Sequence, residues 1–287
     1  MPELPEVETV RRGLSPVMVG ARFEKVEARR RDLRFPLPKG FAARVAGARV
    51  DRLDRRGKYL IAALSTGESL VMHLGMSGRF TVTNGIKSAT GAYYYADEAD
   101  PRHDHVVFEM AGGSAPARIV YNDPRRFGFM DLIESTALHR SAHFRDLGPE
   151  PLSAAFDAAS FNAALERRGA PIKAALIDQS LVVGVGNIYA CEALFRAGVS
   201  PKRAAMSVAG ARGRRLHAAL CEVLEEAIAA GGSSLRDFAA SDGALGYFQN
   251  RFNVYDREDK PCPKCATPVR RIVQSGRSTF YCRVCQR

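Results

Sequence analysis

The sequence predicts an α+β protein: an N-terminal β-sandwich with a leading helix, then a C-terminal helical domain that ends in a metal-binding β-hairpin. Three observations predict this order. Short apolar or alternating segments separated by turns fill residues 15–133, a pattern typical of sandwiches and barrels. Segments with helical periodicity dominate after residue 151. Beyond residue 261, two closely spaced pairs of cysteines flank a predicted hairpin.

The leading helix is predicted just after Pro2. Pro5 suits a first helical position, where its missing N–H costs nothing. Acidic residues follow in the predicted first turn, and Arg11 and Arg12 lie in its last turn, which matches the helix dipole. The Glu3 carboxylate would therefore lie at the positive end of a short helix.

Pro2 draws attention because Met1 precedes a small residue and is expected to be removed. The new N-terminus would be a secondary amine, and an α-amine with a pKa of about 8 is partly unprotonated at neutral pH. Such an amine can attack a masked sugar aldehyde and form a Schiff base. The imine of a secondary amine has no N–H and stays cationic, so it is a permanent electron sink. Taken alone, a proline at this position is more simply explained as an ordinary helix start.

Eight strands are predicted in the first half of the chain. They cover residues 22–26, 48–53, 59–64, 69–74, 80–82, 106–110, 118–121 and 127–133. The polar segment 85–104 is predicted as a loop. Prolines and a glycine within 146–151 indicate a linker, which we place at 135–151, between a domain of residues 1–134 and a helical domain of residues 152–250.

Five helices are predicted after the linker, at 161–168, 172–179, 188–197, 208–230 and 234–240. Ser207 is the predicted cap of the longest one. The loop 183–187 contains two glycines just before a helix, so its backbone can approach a phosphate. A simple tight turn explains this loop as well.

The four C-terminal cysteines form the pattern C-x2-C-x16-C-x2-C, with Cys262, Cys265, Cys282 and Cys285 as members. This spacing fits a tetrahedral zinc site. Disulfides or a redox pair are alternatives, but no secretory signal precedes them. We therefore expect one structural Zn²⁺ per chain in a zinc finger of residues 251–287. Residues 275–277 are the predicted hairpin turn, where Arg277 could reach into a nucleic-acid groove.

Charge and composition indicate the partner. The 287 residues are 46% hydrophobic and carry a net charge of +11. Basic residues cluster at 29–31, 55–58, 125–126, 167–168, 212–215 and 270–271. Repeated clusters indicate a polyanion, although any basic protein shares the net charge. No apolar run reaches membrane-spanning length, so we expect a cytoplasmic protein with no membrane partner.

Several stretches together resemble the bacterial formamidopyrimidine-DNA glycosylases. They are PELPEVET at 2–9, Lys58 within RRGKYL, HLGMSG at 73–78, DPRRFG at 123–128, the loop 183–189 and the four-cysteine hairpin. The resemblance runs in order over nearly the whole chain. It implies a β-sandwich, a helix–two-turns–helix domain and a zinc finger, a bacterial source, and double-stranded damaged DNA bound in a cleft between the domains. Binding in such a cleft suits a monomer, which we expect at the nucleoid when it is bound to DNA.

The resemblance also implies chemistry. The family removes oxidised purines, 8-oxoguanine and formamidopyrimidines, and cleaves the strand by β,δ-elimination. Pro2 would attack C1′ and Glu3 would act as general acid or base. Lys58 would donate a proton in β-elimination, and Arg277 would serve the second elimination and bind the lesion phosphate.

Further residues match DNA-contact positions of the family. Met76, Arg125 and Phe127 match a trio that fills the space left by the displaced nucleotide, with an ordinary core pair as the alternative for Met76 and Phe127. Other predicted contacts are His103, Arg168, Asn187 and Tyr255, with Arg126 and Lys173 as weaker candidates. Asp256 departs from the family, where glycine is frequent.

Two alternative functions remain at this stage. One is an endonuclease VIII-type glycosylase that acts on oxidised pyrimidines. Leu4 argues against it because that type has glycine at this position. The other is a zinc-dependent DNA-binding protein without catalysis, in which Pro2 would be blocked or dispensable.

Overall fold

The computed structural model describes residues 2–83, 100–113, 116–233 and 246–287. The chain forms two compact units. The first comprises Met1–Arg145 and Gly231–Tyr247, and the second comprises Asp146–Ala230 and Phe248–Arg287. The predicted α+β class is confirmed. The domains predicted from the sequence, residues 1–134, 152–250 and 251–287, divide the chain differently from these two units, and they stay a prediction.

In the first unit, helix α1 (Leu4–Met18) precedes two four-stranded antiparallel sheets. The strands are β1 (Arg22–Ala28), β2 (Val50–Arg56), β3 (Tyr59–Leu64), β4 (Glu68–His73), β5 (Arg79–Thr83), β6 (Asp104–Ala111), β7 (Ala117–Asn122) and β8 (Phe129–Glu134). One sheet has the order β1-β6-β7-β5 and the other β2-β3-β4-β8. All eight predicted strands are therefore present. Helix α2 (Phe41–Val45) was not predicted, because five residues give too little periodicity.

The core of this unit joins α1 to both sheets. Val10 from α1, Phe23 from β1, Leu60 from β3 and Phe108 from β6 are all fully buried in one apolar cluster. Alternation along each strand places such side chains on the inner face. The leading helix is thereby fixed on the sandwich by apolar burial.

The second unit contains four α-helices and a hairpin among the described residues. They are α3 (Ala158–Glu166), α4 (Ile172–Ile177), α5 (Asn187–Ala197), α6 (Ala211–Ala229), β9 (Arg270–Gln274) and β10 (Arg277–Tyr281). Helix α3 begins earlier than predicted because the Asp157 carboxylate accepts hydrogen bonds from the N–H groups of Ala159 and Ser160. No helix in the described part of the chain is both long and apolar enough to cross a bilayer.

The long helix of the second unit begins later than predicted. Ser207 does not cap it, because its hydroxyl donates to the Ala204 carbonyl at 2.8 Å and α6 begins only after Gly210. The predicted helix 234–240 lies outside the described residues. So does most of the predicted loop 85–104, whose last residues contain a short 3-10 turn at Pro101–His103.

Glu8 connects α1 to β2 through arginines. Its carboxylate accepts hydrogen bonds from Arg11 at 2.8 Å, Arg12 at 2.9 Å and Arg55 at 3.3 Å. Arg11 and Arg12 therefore lie within the helix, which continues to Met18, rather than in its last turn. Burial alone would raise the pKa of Glu8, but these arginines lower it to about 2.

Replacing Glu8 by glutamine should make folding less sensitive to acid. The pKa of Glu8 in the folded protein lies below its ordinary value of 4.5, so the contribution of Glu8 is complete above that pH and is lost as the pH falls toward 2. We expect the free energy of unfolding of the wild type to exceed that of Glu8→Gln by about 1 to 2 kcal/mol at neutral pH, once solvent screening is included.

Urea unfolding at a series of pH values measures this difference. The excess should shrink as the pH falls from about 5 to about 2. Glu24→Gln is the matched control, since Glu24 is exposed on β1. A difference that does not change with pH would show that Glu8 acts by packing and not by its charge.

Candidate functional site

The N-terminal segment is held by a second glutamate. Pro2 is buried, and Glu3 is the N-cap of α1 with only 3% of its surface exposed. The Glu6 carboxylate accepts a 2.9 Å hydrogen bond from Glu3 N through Oε2. Its Oε1 accepts hydrogen bonds from Ser233 N at 2.8 Å and from Ser233 Oγ at 2.9 Å. The peptide that follows Pro2 therefore has a fixed position.

Gly232 allows this contact. Its φ is +78°, and a Cβ there would lie 3.1 Å from Glu6 Oε1 and 3.3 Å from Glu6 Cα. A side chain would push the Ser233 backbone away from the carboxylate.

Lys58 lies in the turn between β2 and β3, and only 7% of it is exposed. Beside it is His73, whose pKa is lowered to about 4 by burial and then by the charges of Lys58 and Arg34. His73 Nδ1 accepts a 3.0 Å hydrogen bond from Gly75 N, and its ring stacks on Phe129 at 5.3 Å. His73 is therefore uncharged at neutral pH, and these two contacts hold its ring.

Two loops of the first unit carry the predicted void-filling trio. The Met76 loop (residues 74–78) follows β4, and the Arg125 loop (residues 123–128) follows β7. Phe127 is 45% exposed, so it is not a core residue, and the Arg125 guanidinium lies 4.9 Å from its ring centre. Met76 is half-buried. An exposed aromatic ring beside an arginine can stack on bases.

His103 occupies the 3-10 turn before β6. It is half-exposed, its N–H donates to the Asp100 carbonyl at 3.0 Å, and its own carbonyl accepts from Asp123 N at 3.0 Å. The Asp123 bond joins this turn to the start of the Arg125 loop. Pro2, Glu3 and Lys58 also belong to this unit.

The four predicted metal ligands lie together in the second unit. Their sulfur atoms are all within 4.8 Å of one another. Cys262 Sγ is 3.8 Å from Cys285 Sγ, and Cys265 Sγ is 3.5 Å from Cys282 Sγ. A tetrahedral zinc ion with Zn–S bonds of about 2.3 Å requires sulfurs about 3.8 Å apart. The arrangement therefore fits one structural zinc.

The hairpin next to this metal centre presents Arg277. Ser275 and Gly276, with φ of +48° and +71°, form the turn, and Arg277 is the exposed first residue of β10. The predicted turn therefore extended one residue too far. The Ser278 carbonyl accepts a 2.9 Å hydrogen bond from Asn187 Nδ2, which connects the hairpin to the start of α5.

Two basic candidates of this unit have protein partners. Arg168 donates to Asp178 at 2.6 Å and to Ser180 at 2.9 Å. Lys173 is completely buried, with Nζ 3.4 Å from the Ser278 carbonyl. Lys173 was a weaker candidate for a phosphate contact, and its complete burial does not fit that role. No local sequence signal distinguishes a buried lysine from a solvated one.

Tyr255 lies in a segment that a buried glutamate holds. Glu192 on α5 is fully buried and accepts hydrogen bonds from the backbone N–H groups of Asn253, Val254 and Tyr255, the last at 2.9 Å. The next residue, Asp256, has a φ of +55°, the left-handed conformation that glycine adopts most easily. Glu192 was not predicted, because its only signal in the sequence is an acidic residue within an apolar helix.

Comparisons with known proteins agree with this geometry. Family models match residues 1–130 (Formamidopyrimidine-DNA glycosylase N-terminal domain), 147–239 (Formamidopyrimidine-DNA glycosylase H2TH domain) and 259–287 (Zinc finger found in FPG and IleRS). Formamidopyrimidine-DNA glycosylases of Chelativorans sp. (strain BNC1) and Rhodopseudomonas palustris (strain TIE-1) are each 55% identical, with 100% of both chains covered.

Solved structures are similar over the whole chain as well. The MutM (Fpg) protein of Thermus thermophilus has a TM-score of 0.84 and 41% identity, covering 99% of this chain and 98% of its own. Lactococcus lactis Fpg in complex with abasic-site DNA has a TM-score of 0.84 and 32% identity, covering 99% of each chain.

Removing one predicted zinc ligand should abolish metal binding. We expect about one zinc per chain in the wild type, and far less in Cys265→Ser, because three thiolates leave the tetrahedral structural site incomplete. Cys221→Ser is the matched control, since Cys221 lies on α6 and its Sγ contacts the Pro151 carbonyl. Elemental analysis of purified protein measures the content. Full zinc in Cys265→Ser would contradict the assignment.

Proposed function

Since this chain belongs to the formamidopyrimidine-DNA glycosylase family, we propose that Pro2 is the nucleophile with which it excises damaged bases. The chain is a base-excision DNA glycosylase that binds DNA, and abasic-site lyase activity is general in its family. The single observation that carries the proposal for Pro2 is its setting. Pro2 directly precedes the N-cap of α1, and Glu6 fixes the adjoining peptide at 2.9 Å.

The proposed reaction begins after removal of Met1. The Pro2 nitrogen forms a bond to C1′ of the lesion nucleotide while the bond from C1′ to the base breaks. Opening of the sugar ring then gives a cationic iminium. A C2′ proton is lost, its bonding electrons enter this electron sink, and the 3′ phosphate is expelled; a second elimination expels the 5′ phosphate. The positive end of α1 favours electron-rich groups at this point.

Glu3 and Lys58 supply proton transfer in this proposal. Glu3 is 3% exposed and next to Pro2 in the chain, so its carboxyl can exchange protons at the sugar and at the departing base. Lys58, 7% exposed, donates a proton during β-elimination. Arg277, exposed at the start of β10, binds the lesion phosphate and serves the second elimination.

The remaining predicted residues bind DNA in this proposal. Phe127 inserts between bases, Met76 fills the space left by the displaced nucleotide, and Arg125 contacts the orphaned cytosine, as their exposure and chemistry support. His103, Arg168, Asn187 and Tyr255 contribute backbone contacts, for which Arg168 must exchange its bond with Asp178. We propose that the enzyme acts as a monomer on duplex DNA in the bacterial cytoplasm.

Oxidised purines are the proposed lesion class. Leu4 and the match to formamidopyrimidine-DNA glycosylases support it. Lactococcus lactis Fpg has been solved with DNA that contains Fapy-dG, an opened purine. An endonuclease VIII-type preference for oxidised pyrimidines is the alternative.

Replacing Pro2 by alanine should abolish efficient formation of the covalent intermediate. Borohydride reduction of wild type bound to duplex DNA with 8-oxoguanine opposite cytosine should trap a protein–DNA adduct. Pro2→Ala should reduce the trapping rate by about 100-fold or more, because a primary amine replaces the secondary one and gives an imine that can lose its charge. Mass spectrometry verifies Met1 removal in both proteins.

Pro5→Ala is the control for this experiment. Pro5 also lies at the start of α1 but has no part in the proposed chemistry, so trapping should stay within about threefold of wild type. Unchanged trapping in Pro2→Ala, or full activity in protein that retains Met1, would contradict the role of Pro2.

Lesion preference can be measured separately. Single-turnover cleavage should be faster on duplexes with 8-oxoguanine opposite cytosine than on duplexes with thymine glycol opposite adenine. We expect this order because Leu4 and the match to formamidopyrimidine-DNA glycosylases both favour oxidised purines. A preference for thymine glycol would favour the endonuclease VIII-type alternative and leave the Pro2 mechanism intact.

A further inference from the structure

We infer that Asp123 is a positioning residue for lesion recognition, which holds the Met76 loop and the Arg125 loop together as one prearranged unit. The inference deepens the proposed function and rests on the proposed insertion of Met76, Arg125 and Phe127 into DNA. Asp123 itself is fully buried and does not contact DNA in this scheme.

The Asp123 carboxylate receives hydrogen bonds from three different segments. Oδ1 accepts one from Ser77 Oγ in the Met76 loop at 2.6 Å. Oδ2 accepts one from Gly128 N, at the end of the Arg125 loop, at 2.8 Å, and one from the Tyr121 hydroxyl on β7 at 3.2 Å. One buried charge therefore connects both loops to the sheet beneath them.

Ser77 makes the connection direct. Its hydroxyl donates to Asp123 and also accepts a hydrogen bond from Arg125 N at 3.2 Å. Ser77 follows Met76 in the chain, so its side chain fixes the distance between the backbone next to Met76 and the backbone of Arg125. The Asp123 carbonyl adds a 3.2 Å bond from Arg126 N, which closes the turn.

The two loops also touch backbone to backbone. A Cβ on Gly75, where φ is +62°, would lie 2.3 Å from both Gly128 N and the Phe127 carbonyl carbon. A Cβ on Gly128 would lie 1.8 Å from the Tyr121 hydroxyl. No side chain fits between the loops at these points, so their spacing is set by the main chain.

The contacts of Asp123 are better explained by the insertion of the two loops into DNA than by the stability of the folded protein. The tips of both loops are exposed or half-buried, and an exposed loop is ordinarily mobile. A loop that is already in its bound conformation loses less conformational entropy when it enters DNA. A buried carboxylate tolerates no missing donor, so the Asp123 contacts form together and give the loops one conformation.

Three variants test the inference. Ser77→Ala removes the link between the loops, and Tyr121→Phe removes one donor from the sheet. Asp123→Asn replaces one of the two acceptor oxygens by an NH2 donor, so the side chain can no longer accept from both Ser77 Oγ and Gly128 N. Ser69→Ala is the matched control: Ser69 is also a buried serine, bonded to Ser135 Oγ at 2.9 Å, but it lies on β4 away from these loops.

Two reactions are compared for each variant. Excision of 8-oxoguanine from a duplex requires full displacement of a stacked base, whereas cleavage at a preformed abasic site does not. Ser77→Ala and Asp123→Asn should slow excision about tenfold or more and abasic-site cleavage less than about threefold. A 2-aminopurine next to the lesion should report equally slowed unstacking. Ser69→Ala should leave both rates at wild-type values.

Other outcomes would overturn the inference. Equal loss of both reactions together with a lower melting temperature would show that Asp123 serves stability alone. Ser77→Ala rates equal to those of Ser69→Ala would show that the loops need no such link, while the proposed function would stand. If wild type itself excised no base, the proposed function would fall first. If Asp123→Asn does not fold, Ser77→Ala and Tyr121→Phe, which keep the carboxylate, decide the question.

Discussion

Three buried carboxylates hold the segments that carry the candidate functional residues. Glu6, Asp123 and Glu192 are each at most 2% exposed, and each accepts hydrogen bonds from backbone N–H groups of a segment distant in the chain or at the edge of a loop. A carboxylate in such surroundings is costly unless donors surround it. The donors are backbone N–H groups of the segments that carry the candidate functional residues. The same hydrogen bonds therefore stabilise the buried carboxylate and fix the position of the segment.

These contacts differ from the ion pairs on the surface. The pair of Arg49 with Asp51 at 2.8 Å is about half exposed on both sides, and such pairs contribute about 0 to 1 kcal/mol. Glu192, by contrast, holds three consecutive N–H groups in the segment before the zinc finger. Removing it would leave those donors buried without acceptors, which costs about 1 to 3 kcal/mol for each group. The order of the segment that contains Tyr255 therefore depends on one side chain of α5.

Local patterns predicted the parts of this molecule that local forces determine. Short apolar or alternating segments predicted all eight strands of the first unit, and the spacing of the cysteines predicted the metal centre. Both patterns reflect short-range geometry. Contacts between distant segments escaped prediction. Lys173 is basic and was expected at a surface, but the fold buries it beside a carbonyl of the hairpin. Ser207 has the right chemistry for a helix cap, yet its hydroxyl bonds the Ala204 carbonyl and the helix starts later. The burial of Lys173 depends on a segment 105 residues away, whereas the Ser207 bond is local and shows a short polar side chain bonding a nearby carbonyl in place of capping the helix.

The glycines of the recognisable sequence motifs follow from the same constraint. A carboxylate can reach a backbone N–H only where the main chain approaches closely, and Gly75, Gly128 and Gly232 lie at such approaches. A Cβ at Gly232 would meet the Glu6 side chain, and one at Gly128 would lie 3.1 Å from Asp123 Oδ2. In HLGMSG and DPRRFG, Gly75 and Gly128 therefore serve to position the main chain and have no chemical role of their own. The buried carboxylates and the glycines beside them fix the backbone of the segments that carry the candidate functional residues.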